Sequence, residues 1–303
     1  MRIDDKKAYL ARRPDSFSAL IAFAHLGITY APVYLAAIAG PSPLLFVYWL
    51  WFGLMNNGVI NLLHECAHKL TFARGWANDA LGGYVLAPLV LTDFESYRRR
   101  HWEHHRHLGG DRDGKLVYRT SFRGRAVFGI LGRSLVGVEA IRRLTERPKD
   151  ASGEAEAKRA GLSLRLIGAQ SAFLASVALV SFRTHDDWRI ALLSAALAYG
   201  FVYAYGLGSL TVFAAALRAI AEHKRSQSDV LSEGEAALRN LRCNAFTRLL
   251  MGAYGFGEHA THHMEPAVPY YRLLPLTEAM AQHDPRLAMG PGYIATLIRL
   301  SRE

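Results

Sequence analysis

Nine of the thirteen histidines in this chain stand where they could act together, and imidazole is the commonest metal ligand among side chains at neutral pH. His64 and His68 form a pair. His101, His104 and His105 form a triplet, His259, His262 and His263 form another, and His223 stands alone between the two triplets. An α-helix turns once in about 3.6 residues, so the i, i+4 pair shares a face and each HxxHH triplet is expected to turn its rings to one side. Three such faces, brought together, would surround a cavity. Nine imidazoles exceed what one tetrahedral zinc ion can use. They suit two transition metals with four or five ligands each and a position left for oxygen or substrate.

A single histidine is ordinarily a surface or core residue, and a metal site is argued from clusters. His223 therefore rests on less than the other eight, and His25, His185 and His283, which have no neighbouring cluster, read as bystanders. His64-Glu65-Cys66-Ala67-His68 also spells HExxH, the zinc hydrolase helix in which the glutamate is the general base. That motif needs one further ligand only and would leave six histidines without a task, so the dinuclear reading is preferred. Carboxylates beside metal-bound imidazoles often accept the second ring proton. Asp111 and Asp113 follow the second cluster, Glu222 and Glu258 directly precede His223 and His259, and His107 is the remaining histidine best placed to assist. Asn57 and Asn61 share the face of His64. They are expected to hydrogen-bond a neighbouring helix, with an approach of Asn61 to the metals as the alternative.

The elements that must carry these residues are apolar. The chain of 303 residues is 51% hydrophobic, and charge is absent from four blocks: 17–39, 44–63, 166–182 and 190–217. A helix needs about 20 apolar residues to cross the hydrocarbon layer, so four transmembrane spans are expected, the last ending near residue 213. Gly40-Pro41-Ser42-Pro43 and the short segment 183–189 would close two hairpins. Lysine and arginine gather before the first span, in the segment 64–165 and in the segment 218–303, which places all three in the cytoplasm by the positive-inside rule. Every histidine cluster then falls on that same face. The first block is long for a signal sequence, and Asp4, Asp5 and Asp15 interrupt its basic flank, so it reads as a retained anchor.

Residues 78–92 are apolar but too short to cross and contain Gly82, Gly83 and Pro88, which suggests a re-entrant or interfacial piece. Residues 126–138, split by Arg133, suggest an amphipathic helix lying in the membrane plane. Polar loops are expected at 149–158 and 226–234. The net charge of +10 fits basic loops against an anionic leaflet. No aromatic-plus-basic module or zinc finger supports nucleic-acid binding. Cys66 and Cys243 make neither a disulfide framework nor a CxxC pair for a fused iron–sulfur centre, so electrons would come from outside. One domain covering 1–303 is the expected organisation, with no sign of an oligomeric state.

HECAH at 64–68, HWEHH at 101–105 and HATHH at 259–263, the last followed by MEPAVPYYRLLP, resemble the three histidine boxes of the membrane fatty acid desaturase and hydroxylase superfamily. RAIAEH at 218–223 resembles the segment that brings the extra histidine of that family. The resemblance runs from the second span almost to the C-terminus. It implies an all-α integral membrane fold of four spans with a cytoplasmic helical cap, two non-haem iron ions held by all nine histidines, and O2 as co-substrate. The substrate would be a fatty acyl or other lipid chain, and the electron donor a ferredoxin, rubredoxin or cytochrome b5 type protein. If the source is bacterial, the membrane is the inner one. Some acyl-CoA desaturases of this group have an asparagine four residues before the extra histidine, and here that place is Ala219. Breaking an unactivated C–H bond needs a strong oxidant, which redox-active iron can generate and zinc cannot. Desaturation is the expected outcome. Hydroxylation of an alkyl, terpenoid or carotenoid chain and alkene-forming decarboxylation remain open on the same fold, with zinc hydrolysis a remote alternative.

Overall fold

A computed structural model describes residues 7–113, 126–145, 153–226, 229 and 231–302. The apolar blocks form long helices, and the turn formers sit between them. Helix α1 spans Asp15–Ala39 and α2 spans Leu44–Ala67, joined by the expected turn at Gly40 to Pro43. Helix α7, Gly153–Thr184, and helix α8, Trp188–His223, make the second hairpin. Helix α8 widens into π-type turns at Leu197–Tyr205 and Leu207–Thr211. The two hairpin tips lie side by side, because the His185 ring is hydrogen-bonded to the carbonyl of Ala37 at 3.0 Å.

Three helical stretches are long and apolar enough to cross a membrane: α1, residues Leu164–Thr184 of α7, and α8. They expose Leu20, Phe23, Ile28, Ile167, Leu179, Leu192 and Leu193, a surface suited to lipid and costly in water. Helix α2 packs against α1 and α8 and differs from them in composition. Its first half exposes Leu44, Phe46, Val47 and Leu50, while its second half buries Asn56, Asn57 and Asn61, which lower its hydropathy. The amide nitrogens of all three find neighbouring acceptors, while the side-chain oxygens of Asn57 and Asn61 are buried without a hydrogen-bond partner. Asn56 accepts from Tyr30 at 3.1 Å, and Asn57 donates to the Leu250 carbonyl at 3.0 Å.

The rest of the chain caps one end of this bundle. Residues 75–89 form a single helical piece, α3, with a π-type turn at Leu81–Leu86 that contains Gly82 and Gly83. Gly82 is required by close approach: a Cβ there would stand 2.4 Å from the Phe94 ring. Helix α4, Phe94–Arg106, starts where Asp93 accepts the Ser96 N–H at 2.8 Å, an ordinary N-cap. Helices α5, Ala126–Leu135, and α6, Val138–Thr145, follow; α5 buries Val127, Ile130 and Leu131 and exposes Phe128, as an in-plane amphipathic helix would. A two-stranded hairpin, β1 Ser232–Glu233 with β2 Ala236–Ala237, and helices α9 Ala245–Leu250, α10 His259–Met264, α11 Tyr270–Ala281 and α12 Tyr293–Arg302 complete the cap. Part of each polar loop expected from the sequence, 149–152 and residues 227, 228 and 230, lies outside the described residues; 153–158 begin α7 rather than extending a loop.

Two cores hold the assembly. Val33, Phe52, Val59, Leu62, Val177, Val202 and Tyr203 fill the bundle. Ile220, Leu241, Tyr293, Leu297 and Val127 fill the cap beside the end of α8. Between them lie the histidines.

Candidate metal centre

Each histidine comes from the end of an element that the bundle or the cap fixes. Helix α2 continues past its apolar stretch and carries His64 at its last turn and His68 at its end. Helix α4 brings His101, His104 and His105 across it, and α8 ends on His223. The third triplet opens α10 after a tight bend in which Tyr254 and Gly255 take the left-handed conformation, φ 56° and 74°. Gly255 suits that bend on two grounds, since it tolerates a positive φ and a Cβ would stand 2.7 Å from Leu273. Asn61 sets the height of this bend. Its amide donates to the carbonyl of Ala253 at 2.9 Å, so the side chain is a packing anchor for the third triplet.

The nine rings converge into two groups. His64, His68, His101, His105 and His262 form one, and His104, His223, His259 and His263 form the other; within each group one donor atom per residue lies within 4.8 Å of all the rest. The expectation that each triplet points all its rings one way is corrected here. Adjacent residues on a helix diverge by about 100°, and the triplets use that divergence. His101 and His105, an i, i+4 pair, serve the first group while His104 serves the second; His259 and His263 serve the second while His262 serves the first. The His105 and His263 rings stack at 4.2 Å between centroids, so the two groups are adjacent.

Two ring nitrogens are fixed by partners that accept, and a third lies beside a carboxyl group. The Nδ1 of His104 lies 3.0 Å from both oxygens of the buried Asp113, whose Oδ2 also takes the Gly109 N–H at 3.0 Å. His223 Nδ1 donates to the Ala237 carbonyl at 3.1 Å. His64 Nδ1 lies 3.3 Å from Glu65 Oε1. A proton held on Nδ1 leaves the lone pair on Nε2 facing the group.

The residues fit a metal on three observations. The Nε2 of His64 is buried and has no hydrogen-bond partner. His68 Nε2 lies 2.6 Å from His101 Nε2, and His259 Nε2 lies 2.8 Å from His223 Nε2 and 3.2 Å from His263 Nε2. Separations of about 3 Å are those of neighbouring donors each about 2.1 Å from a shared centre. Burial, and then the neighbouring rings, hold His64 and His263 well below the ordinary histidine pKa, so they stay neutral and able to donate a lone pair.

The residues expected around the histidines divide. Asp113 holds His104. Glu222 is buried, with Oε2 3.6 Å from His259 Nε2, and its Oε1 receives the Tyr293 hydroxyl at 3.3 Å. Glu258 is turned the other way and pairs with Arg248 at 2.9 Å. His107 pairs with Glu103 at 3.4 Å on the surface, and Asp111 is exposed, so neither joins the histidine groups. His25, in the bundle, contacts the Met55 carbonyl at 3.4 Å, and His283 is exposed.

Glu65 has a part that the HExxH reading hid. Burial pushes its carboxyl up to about 8 against the pull of Arg12 and Arg13, and its Oε2 accepts the Tyr270 N–H at 3.4 Å. It lies behind His64, at the nitrogen that faces away from the donor group, where a hydrolytic base would be out of place. The tyrosines after the third triplet complete this corner. Tyr271 accepts the Arg13 N–H at 2.8 Å, and the Arg13 guanidinium lies over both the Tyr270 and Tyr271 rings and donates to the Tyr270 hydroxyl. Sequence reasoning also passed over Phe256, which packs edge-on to His64 and parallel to His259 beneath the buried Arg218 guanidinium.

Comparison with known proteins agrees with this arrangement. A sn-1 oleoyl-lipid 12-desaturase from Synechocystis sp. (strain ATCC 27184 / PCC 6803 / Kazusa) is 34% identical over 87 residues, covering 29% of this chain and 22% of that protein. A sn-1 oleoyl-lipid 12-desaturase from Anabaena variabilis is 31% identical over 96 residues, covering 32% and 26%. A bifunctional fatty acid conjugase/Delta(12)-oleate desaturase from Punica granatum is 34% identical over 100 residues, covering 31% and 23%. The matched segments thus span about a quarter of those relatives. The match to the fatty acid desaturase family runs far wider, over residues 41–294, and takes in all nine histidines, helix α2 and the second hairpin. On that extent, the chain belongs to the fatty acid desaturase family.

Proposed function

We propose that this protein is an oxygen-dependent non-haem diiron enzyme that introduces a double bond into a fatty acyl chain. The observation that carries the reading is the division of nine imidazoles into adjacent groups of five and four, with the neighbours His104 and His105, and His262 and His263, each divided between the groups. Family membership and the names of the relatives, oleoyl-lipid and Delta(12)-oleate desaturases, support an acyl-lipid substrate. Two iron ions bound by His64, His68, His101, His105 and His262 and by His104, His223, His259 and His263 would supply the oxidising power that zinc lacks.

The chain's own residues do the positioning. Asp113 and the Ala237 carbonyl fix the Nδ1 protons of His104 and His223, which keeps each Nε2 lone pair aimed inward, and Glu65 lies against the Nδ1 of His64. Glu222, backed by Tyr293 and Arg218, holds a carboxylate at the edge of the second group. Ala219 stands where some acyl-CoA desaturases have asparagine, and both groups consist of histidines alone. In the overall balance two hydrogens leave adjacent carbons of the alkyl chain, two electrons and two protons are added, and O2 becomes two waters.

The proposed setting is a single domain with four membrane spans. Helix α2 is the fourth, supported by the apolar surface of its first half, and the cap lies on the cytoplasmic face, supported by the arginine-rich segments that carry it. An external protein supplies the electrons. Mass spectrometry of total lipids from cells expressing the protein, against a His104→Ala variant, tests the function. New unsaturation absent from the variant is the expected result. An added oxygen would move the assignment to hydroxylation and a shortened terminal alkene to decarboxylation, while no difference with iron-loaded protein and a working donor would overturn it. Purified protein is expected to hold two irons per chain; activity with a single zinc would return the HExxH reading.

A further inference from the structure

Helix α4 faces two ways. Its inner side carries His101, His104 and His105, and its outer side borders a groove of about 390 Å³ lined by Glu95, Arg98, Arg99, Trp102, Glu103 and Arg106. Trp102 joins the two sides. Its partly exposed indole forms part of the groove wall, and its inner edge lies against His68, ring centroids 4.7 Å apart, and against His105 at 5.8 Å. Both histidines belong to the five-membered group.

The charge around the groove is uneven. Helix α4 carries Arg98, Arg99, Arg100 and Arg106 against Glu95 and Glu103. Arg98 is occupied by Asp79 and Glu95, and Arg106 lies 3.5 Å from Glu103, while Arg99 and Arg100 are exposed. The excess is positive, which attracts an acidic partner and speeds its encounter. The two cysteines, Cys66 and Cys243, are free and far from any cluster-binding spacing, so they offer no site for a cysteine-bound iron–sulfur cluster.

We propose that this groove is the docking site of an acidic one-electron carrier protein and that Trp102 is the conduit by which its electrons reach the histidine centre, an inference that rests on the function proposed above. Electron transfer weakens steeply with the gap it must cross, and van der Waals contact from the groove wall to His68 leaves almost none. Two carriers dock per turnover. Each is oxidised by one electron, and the pair supplies the two electrons that the balance above requires.

The test uses the full-length, iron-loaded protein in lipid nanodiscs, with an acidic [2Fe–2S] ferredoxin as the protein donor and dithionite as the small one. The rate of iron reduction is followed by optical and electron paramagnetic resonance spectra, and iron content is measured alongside. Trp102→Leu is expected to slow reduction by ferredoxin at least tenfold, Trp102→Phe less, with iron content and dithionite reduction within twofold of the parent. Arg99→Glu with Arg106→Glu is expected to lower the second-order rate at least tenfold at low salt and to flatten its dependence on ionic strength. Unchanged ferredoxin rates in both variants would overturn the proposal, as would equal slowing of both donors by Trp102→Leu, which marks a structural role. A parent protein reduced by dithionite but not by ferredoxin would overturn the docking of an acidic carrier and leave the proposed function standing. A parent reduced by neither would remove the redox centre, and the function with it.

Discussion

Each imidazole of the centre has two nitrogens, and at His104 and His223 the protein employs both. One faces the group and the other is tied to a carboxylate or a carbonyl, which fixes the tautomer and the ring plane together. Asp113 shows this most fully, because it is buried, contacts His104 through both oxygens and is itself held by Gly109. Asp113→Ala is expected to weaken iron retention about 10- to 100-fold, read as iron left after dialysis against a chelator. Asp111→Ala, on the exposed turn beside it, is expected to leave retention unchanged. The two cysteines give a second prediction at this scale. Burial pushes the Cys243 thiol up to about 11 and the Cys66 thiol up to about 12, both in the direction that removes thiolate. At pH 8 about one Cys243 in a thousand is then ionised. Alkylation of the native protein by iodoacetamide should therefore be slow at pH 8 and should rise about tenfold per pH unit toward 11, whereas the unfolded chain should react at the rate of an ordinary thiol. Native protein alkylated as fast as unfolded protein would contradict the burial.

At the scale of elements, the centre depends on a few buried contacts between helices that otherwise touch through apolar side chains. Asn61 is one. Its amide ties α2 to the bend at Ala253 that launches the third triplet, so one side-chain-to-backbone bond couples the pair His64 and His68 to His259, His262 and His263. Asn61→Ala would leave the Ala253 carbonyl buried without its donor, at a cost of about 1–3 kcal/mol. The expected outcome is a lower thermal unfolding midpoint in detergent together with reduced iron content, since the bend that sets three histidines is loosened. A variant with full iron and unchanged unfolding would show that the bend is held by Gly255 and Leu273 alone. The strap from the N-terminal segment acts alongside. Arg12 donates to the Lys69 carbonyl at 2.8 Å while Arg13 is held by Tyr270 and Tyr271, so one short stretch spans the first and third histidine segments.

The whole molecule has an apolar belt, a basic cap and a centre between them. Helices α1, α7 and α8 expose aliphatic side chains along lengths that match a bilayer, and the hairpin tips meet at the end away from the histidines. This arrangement predicts the topology. In a cysteine-free background with full iron content, single cysteines at Ser42 and Asp186 should react with an impermeant maleimide from one side of a sealed membrane, and single cysteines at Asp111 and Arg302 from the other only. Labelling of Ser42 and Asp111 from the same side would break the two-hairpin arrangement.

The identity of the nine histidines, the apolar blocks and the motif text that marks the family were all legible in the amino-acid sequence, because spacing assigns a residue to a face of its own helix and composition tells which helices avoid water. Asp113 was legible too, by its nearness to the second triplet. What the tertiary structure alone decided is how those faces meet. Periodicity along one helix carries no information about the rotation of its neighbours, so the partition of His104 from His105 and of His262 from His263 between two groups, the turning of Glu258 toward Arg248, the departure of His107 and Asp111 to the surface, and the placing of Glu65 behind His64 were settled only when α2, α4, α8 and α10 packed around one another.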